Sequence, residues 1–295
     1  MRELLAPTWG QIISERISVL LRHHSNIVLF GCAWFVAAGG PSLPPAVAGN
    51  HAAGARVKTR VAHVLVALAD NRYQGIVPVP AAIGNGDDPA RNLYWGAGYG
   101  VRTFFERSEG WQRVGPCMPA KGAVLERCVF LYRFEKARDE KVYMIADAYR
   151  GREIKQAVAD FFAFSAGRGP NEVALGNSVV AAGGSDLVAY VGHDGLMDFK
   201  LDRYEYAVDD KRRDAVMLAC ASKSYFADTL RWTGAKPLVW TTGLMAPEAY
   251  VLEAVLTGWA NKESDQQIRR RAALAYDKYQ HCGENAAMRL FVIGW

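Results

Sequence analysis

Short apolar runs alternate with amphipathic segments along most of this chain. Each run is rich in β-branched or aliphatic residues and is bounded by turn formers or charges, which predicts a β-strand. The predicted strands are 62–69, 142–146, 187–191, 215–219, 237–241 and 290–294. The runs 187–191 and 215–219 are almost wholly apolar, as is typical of parallel strands that are buried on both faces.

The segments between these runs predict helices. Apolar residues in 154–164 recur with a helical period, and the segment stops before a glycine-rich and proline-containing stretch. Further helices are predicted at 101–107, 222–232, 247–259 and 264–279. Strands that alternate with helices imply an α/β fold, here a three-layer α/β/α sandwich around a mostly parallel, six-stranded sheet.

Two chemically active residues follow neighbouring predicted strands. His193 comes just after strand 187–191, and Cys220 comes just after strand 215–219. We expect both to face one crevice, because open α/β sheets bind ligands at the carboxyl ends of their strands. An imidazole or a helix N-terminus beside a thiol raises its thiolate fraction. The pair therefore predicts a nucleophile and its base, whereas a buried thiol and a loop histidine are the alternative for either residue alone.

These motifs carry a resemblance to a known family. One strand is followed by 192–195 (Gly-His-Asp-Gly), and the next is followed by 219–222 (Ala-Cys-Ala-Ser). An earlier strand ends in 70–72 (Asp-Asn-Arg). This arrangement resembles the caspase-fold cysteine peptidases. That group includes caspases, legumains, gingipains and separases. The order of strands and helices is similar to the family's six-strand core, so the resemblance covers most of 62–295.

The resemblance implies roles for four residues. Cys220 would be the nucleophile, His193 the general acid and base, and the amides of Cys220 and of the Asp194-Gly195 turn the oxyanion hole. No metal and no organic cofactor is needed for this chemistry. Asp194 stands between His193 and Gly195, where most relatives have the glycine directly. The caspase signature of Gln before and Gly after the Ala-Cys pair is absent, so the caspase subgroup itself is not expected.

The expected function is an exported cysteine peptidase or amidase that acts on a peptide or protein. Asp70 and Asp147, at predicted strand ends near the same crevice, could select Lys or Arg, and ordinary hydrogen-bonded turn aspartates are the alternative. The alternative function is a catalytically inactive, caspase-fold binding protein with an aromatic-lined groove. Its groove would be formed by Tyr94, Trp95 and Tyr99.

The N-terminal segment predicts export. Basic Arg16 and Arg22 precede the apolar run 27–38, and small residues at 46–48 follow it. This pattern is typical of a signal peptide, here 1–48, and places the mature protein in the periplasm or outside the cell. The run is shorter than the roughly 20 residues that span a bilayer, so no stable membrane span is expected. A structural helix at 9–21 in an intracellular, cytoplasmic protein is the alternative.

The rest of the chain is predicted to start flexibly at 49–61 and to fold as one domain over 62–295. With 295 residues, 51% of them hydrophobic, the chain can bury a sizeable core. The net charge is +5, but acidic and basic residues alternate apart from 269–271 (Arg-Arg-Arg), so no nucleic-acid partner is expected.

Five cysteines remain to be placed. Cys32 would leave with the signal peptide. Cys117 and Cys128 flank a segment that contains proline and glycine, and in an oxidising compartment they could close a small loop. The spacing alone does not determine the pairing. Four cysteines in so long a mature chain do not form a disulfide scaffold, which leaves Cys220 for chemistry.

Overall fold

The computed structural model describes residues 58–136, 138–168, 172–175, 178–181, 184–202 and 204–295. Within it, Lys58–Trp295 forms one compact unit. The predicted signal peptide, Cys32 and the first part of the predicted flexible start, 49–57, lie outside the described residues. Residues 58–61, predicted as part of that flexible start, are the beginning of the first strand.

The described residues form a mixed α/β fold with eleven strands and six helices. The strands are β1 (Lys58–Ala67), β2 (Trp111–Arg113), β3 (Met118–Pro119), β4 (Val124–Tyr132), β5 (Glu140–Tyr149), β6 (Glu172–Leu175), β7 (Ser178–Ala181), β8 (Leu187–Val191), β9 (Asp214–Leu218), β10 (Lys236–Thr241) and β11 (Phe291–Val292). The helices are α1 (Val101–Glu106), α2 (Ile154–Ser165), α3 (Ser222–Thr233), α4 (Ala249–Ala260), α5 (Asp265–Gln280) and α6 (Glu284–Leu290). None of these helices is long and apolar enough to cross a membrane.

Nine of the described strands belong to one central sheet. Its order is β11-β10-β9-β8-β1-β5-β4-β2, with β3 paired to β4, while β6 and β7 form a separate hairpin. The pairs from β5 through β1, β8 and β9 to β10 are parallel. The pairs of β4 with β2, β3 and β5, and of β10 with β11, are antiparallel.

The sheet thus has nine strands rather than the predicted six, and half of its pairs are antiparallel. The extra strands β2 to β4 come from a segment in which no strand was predicted. The longest of them, β4, carries Glu126, Arg127 and Cys128 in its middle. Because β4 is only partly buried along its length, it tolerates these residues, which interrupt the apolar run by which a strand is predicted.

The alternation of side chains along the strands divides most of the core into two large clusters, and Val61 and Ile145 form a third, small one. Ala62, Val64 and Val66 of β1 belong to a cluster that includes residues of α1, α4 and α5. Leu65 and Ala67 belong to a second cluster with residues of α2 and α3. The central strands are buried on both faces, which explains their apolar sequences.

A disulfide joins Cys117 to Cys128, with their Cα atoms 4.4 Å apart. Cys117 precedes the short strand β3, and Cys128 is a buried residue of β4. The bond therefore covalently links the segment before β3 to the sheet. Among the described cysteines, Cys220 and Cys282 have free thiols.

Candidate active site

The parallel register of β8 and β9 places His193 and Cys220 at the same level. Val191, the last residue of β8, lies opposite Leu218, the last residue of β9. The Gly192 N–H donates to the Leu218 carbonyl at 3.3 Å and extends the ladder by one step. His193 and Cys220 each lie two residues beyond this register pair, so both follow the carboxyl edge of the sheet side by side.

The His193 imidazole is held by a carboxylate. Its Nε2 lies 2.7 Å from Asp198 Oδ2, and the same oxygen accepts the Gly75 N–H at 3.0 Å. Tyr190 supports the backbone of the histidine, because its hydroxyl donates to the His193 carbonyl at 2.6 Å. Only 9% of His193 is exposed. These contacts orient the ring and engage its Nε2, so any proton transfer by this imidazole would use Nδ1.

Sequence reasoning missed Asp198. The available signal was a carboxylate in the loop shortly after the histidine. A short 3₁₀ helix, Gly195–Met197, brings this carboxylate back to the His193 ring.

The Cys220 thiol contacts the backbone of Met245 in the loop after β10. Sγ accepts the Met245 N–H at 3.4 Å and donates to the Met245 carbonyl at 3.5 Å. Burial raises the pKa of Cys220, the Met245 N–H lowers it, and the negative charge of Asp194 raises it further. The net pKa is above the ordinary value, so the thiol needs a base to become a nucleophile.

A sharp turn connects Cys220 to α3. Ala221 adopts the left-handed conformation, with φ of 48°, and the helix begins at Ser222. The Ala221 N–H donates to the Gly243 carbonyl at 2.8 Å, and the Ser222 hydroxyl donates to the Met217 carbonyl at 2.8 Å. The turn therefore holds the thiol just before a helix N-terminus, whose positive dipole end favours an anion.

Asp194 and Gly195 form the turn that directly follows His193. Asp194 Oδ1 accepts the Leu196 N–H at 3.0 Å and caps the short 3₁₀ helix. Oδ2 of Asp194 is buried and has no hydrogen-bond partner among the described residues. Burial, reinforced by the charge of Asp198, raises the pKa of Asp194 to about 7. A Cβ atom at position 195 would meet the Phe199 ring at 2.7 Å, so any residue other than glycine would displace that ring.

Asp70 is engaged in its own loop. Its Oδ1 accepts the N–H groups of Arg72 at 2.9 Å and Tyr73 at 3.2 Å, and only 6% of the residue is exposed. A Cβ atom at Gly86 or Gly151 would collide with the Asp70 side chain. The carboxylate therefore stabilises the turn after β1.

Asp147 lies inside β5, two residues before the end of the strand, rather than at a strand end as predicted, and it is engaged with two other strands. Arg127 donates to both of its carboxylate oxygens, at 2.5 and 2.7 Å, and His63 Nε2 lies 2.8 Å from Oδ2. Asp147 is 1% exposed. Burial by itself raises the pKa of Asp147, but the charge of His63 and the bonds from Arg127 bring it below the ordinary value. The structure thus supplies this carboxylate with an internal cation.

The aromatic residues predicted to line a binding groove lie mainly in the core. Trp95 is fully buried, Tyr94 is 7% exposed, and the Trp95 indole N–H donates to Glu126. Tyr99 is partly buried and packs against Tyr250 and Tyr279. Trp95 and Tyr94 therefore provide no open surface for a ligand.

Among the described residues, no group of three or more His, Cys, Asp or Glu side chains is arranged to hold a metal ion. No protein-family model matches the chain, and no curated protein or solved structure is significantly similar to it.

Proposed function

We propose that the protein is a cysteine peptidase or amidase that forms an acyl-thioester on Cys220. The observation that carries the proposal is the shared level of Cys220 and His193 beyond adjacent parallel strands, with the imidazole held by Asp198. A thiol, an imidazole and an orienting carboxylate form the set of groups that nucleophilic acyl transfer requires.

The proposed reaction starts from the protonated thiol. His193 Nδ1 takes the Sγ proton while the sulfur attacks the substrate carbonyl carbon, and the negative charge moves to the carbonyl oxygen. The amides of Cys220 and of the Asp194-Gly195 turn would stabilise this oxyanion. The imidazolium then gives its proton to the leaving amine as the C–N bond breaks. Water, deprotonated by His193, hydrolyses the resulting thioester and regenerates the thiol.

The caspase-like architecture is part of this proposal. Strands β5, β1, β8, β9, β10 and β11 are consecutive in the sheet and would form the six-stranded, mostly parallel core. The two clusters of buried residues, with different helices in each, support a three-layer α/β/α arrangement. In this proposal β2, β3 and β4 extend the six-stranded core of the sheet at one edge.

Export to the periplasm or the extracellular space also remains a proposal. The disulfide between Cys117 and Cys128 supports it, because such bonds persist mainly in oxidising compartments. Mass spectrometry of the mature N-terminus tests it. Cleavage after Ala48 supports export, and an intact N-terminus in the cytoplasm contradicts it.

Thiol labelling tests the catalytic proposal. The folded protein is treated with iodoacetamide at pH 7, and alkylation of Cys220 is compared with that of Cys282 by peptide mass spectrometry. Cys282 is an exposed free thiol and serves as an internal reference. We expect His193→Ala to slow alkylation of Cys220 about tenfold or more while Cys282 reacts as before.

Peptide turnover completes the test. Both Cys220→Ala and His193→Ala should abolish cleavage of a broad peptide library that the wild-type protein cleaves. Equal Cys220 labelling in the wild type and in His193→Ala would contradict the proposed pair. Absence of turnover by a well-folded wild-type protein would contradict the hydrolase assignment.

A further inference from the structure

Four exposed apolar side chains lie on the loops that surround the thiol and the imidazole. Tyr73 is 48% exposed and Val77 60%, and both follow β1. Met197, which follows β8, is 42% exposed, and Leu244, which follows β10, is 55% exposed. All of these loops leave the carboxyl ends of parallel strands, where α/β proteins bind their ligands.

Two of these side chains directly precede a residue that contacts the reactive pair. Leu244 precedes Met245, whose N–H and carbonyl both bond to Cys220 Sγ. Met197 precedes Asp198, which holds His193.

The loop after β1 reaches the same place. Tyr73 and Val77 flank Gly75, whose N–H donates to Asp198. A side chain at Gly75 would meet Asp198 Oδ1 at 2.6 Å, so the backbone of this loop lies directly against the carboxylate. The exposed apolar groups therefore lie on three different loops, each of which contacts the reactive pair or the carboxylate that holds His193.

Three carboxylates near this edge are buried and do not offer a site for a basic side chain. Asp70 bonds within its own turn, and Asp147 is paired with Arg127 and His63. Asp194 is fully buried. Asp198, the exposed carboxylate next to Met197, is bonded to His193 and to the Gly75 N–H. The exposed Arg72, next to Tyr73, stacks its guanidinium over the Tyr73 ring at 5.0 Å.

Resting on the function proposed above, we propose that the substrate presents an apolar side chain next to the scissile bond, and that Leu244, Met197 and Tyr73 contact it. When an apolar ligand side chain covers exposed apolar surface beside a reactive group, binding gains about 25 cal/mol per Å² of surface removed from water. A polar or charged side chain in the same place would lose water without gaining a partner.

Matched peptide substrates test this specificity. The full chain is assayed with fluorogenic peptides that differ only in the residue before the scissile bond, which is Leu, Phe, Lys, Arg, Asp or Asn. The same residues are placed in chloromethyl ketone probes that alkylate a catalytic thiol. We expect kcat/KM and the alkylation rate of Cys220 to be about tenfold or more higher for Leu or Phe than for the others.

Two surface variants locate the contacts. Leu244→Ser and Met197→Ser should each reduce the preference for Leu over Asn by about threefold or more. Val208→Ser is the control, because Val208 is 48% exposed but lies on the segment that leads into the amino end of β9. This control variant should keep the wild-type preference.

The outcomes separate this inference from the proposed function. Cleavage with a preference for Lys, Arg or Asp would support the hydrolase and overturn the apolar specificity. Apolar-selective alkylation of Cys220 without peptide turnover would support the specificity and contradict the hydrolase. A Cys220 thiol inert to every probe would overturn both proposals.

Discussion

Asp198 binds His193 through the imidazole Nε2 at 2.7 Å, and the same carboxylate oxygen accepts the Gly75 N–H. The carboxylate thus links the loop after β8 to the loop after β1. A carboxylate in this position fixes the ring orientation and stabilises the imidazolium that forms when the thiol loses its proton. Asp198 is therefore the positioning residue of the proposed pair.

Asp198→Asn is expected to reduce kcat/KM for peptide cleavage about 100-fold, because the amide cannot stabilise the imidazolium. The free energy of unfolding should change by less than about 1 kcal/mol, since the Asp198 side chain is 37% exposed. Steady-state kinetics and urea unfolding measure the two quantities. Asp202→Asn in the same segment is the control, because Asp202 is 87% exposed. Equal kinetics for both variants would contradict a positioning role.

Asp194 is expected to make the stability of the protein depend on pH. Its pKa is raised by burial to about 7, above the ordinary 3.8, so the folded state holds a proton that the unfolded state has released. This contribution to wild-type stability is present at acid pH and is lost as the pH rises from about 4 to about 7.

Asp194→Asn removes this titration and keeps an oxygen that can cap the turn. As the pH rises from 4.5 to 8, the free energy of unfolding of the variant should increase relative to that of the wild type by about 2–4 kcal/mol. Urea unfolding of both proteins at the two pH values measures the gain. A difference between the proteins that is independent of pH would show that Asp194 titrates normally.

The buried pair of Arg127 and Asp147 gives a third prediction. Arg127→Met leaves the Asp147 carboxylate 1% exposed and removes its guanidinium partner, while the contact with His63 Nε2 at 2.8 Å remains. We expect unfolding to become easier by about 3–5 kcal/mol, because a buried charge loses its partner. Adding Asp147→Asn should restore part of that loss.

Chemical unfolding of the wild type, the two single variants and the double variant completes this cycle. Losses that add within about 0.5 kcal/mol would show that the two residues are not coupled. The same variants also test whether Asp147 selects substrates. Because Asp147 is already paired with Arg127, it has no role in binding a basic substrate side chain, and the variants should keep the wild-type preference between Leu and Lys peptides.

The fold could be predicted from the sequence where one local pattern of apolar residues determines the secondary structure. The continuous apolar run at 187–191 coincides with β8, and the helical period at 264–279 overlaps α5, which Ser264 caps together with Gln267. In contrast, 290–294 was predicted as a strand, yet α6 extends to Leu290 and β11 has only two residues. The apolar residues there serve both elements, and tertiary packing determines the boundary.

The candidate site was predictable to the same extent. Strand ends predicted the positions of His193 and Cys220, because parallel strands align their carboxyl ends. The partners of Asp147 could not be predicted, since Arg127 and His63 are far from it in sequence and meet it only through the register of three strands. Asp198 likewise requires the 3₁₀ turn that returns the chain to His193.

The left-handed turn at Ala221 gives the last prediction. Its φ of 48° costs an alanine about 1–2 kcal/mol, whereas glycine adopts this conformation without strain. Glycine also gives the unfolded chain more freedom, which offsets part of the gain. Ala221→Gly should therefore raise the free energy of unfolding by about 0.5–1 kcal/mol. Ala219→Gly, at a fully buried position just after β9, is the matched control and should lower it by about 1 kcal/mol.

The reactivity of Cys220 shows whether this strain has a role beyond stability. The Ala221 N–H bond to the Gly243 carbonyl does not need the methyl group, so the turn should keep its shape in Ala221→Gly. Alkylation of Cys220 should then stay within about twofold of wild type. A loss of stability in Ala221→Gly would show that the Ala221 methyl group packs favourably and that the turn stores no strain. A fall in Cys220 reactivity at unchanged stability would instead show that the rigidity of alanine holds the thiol in place.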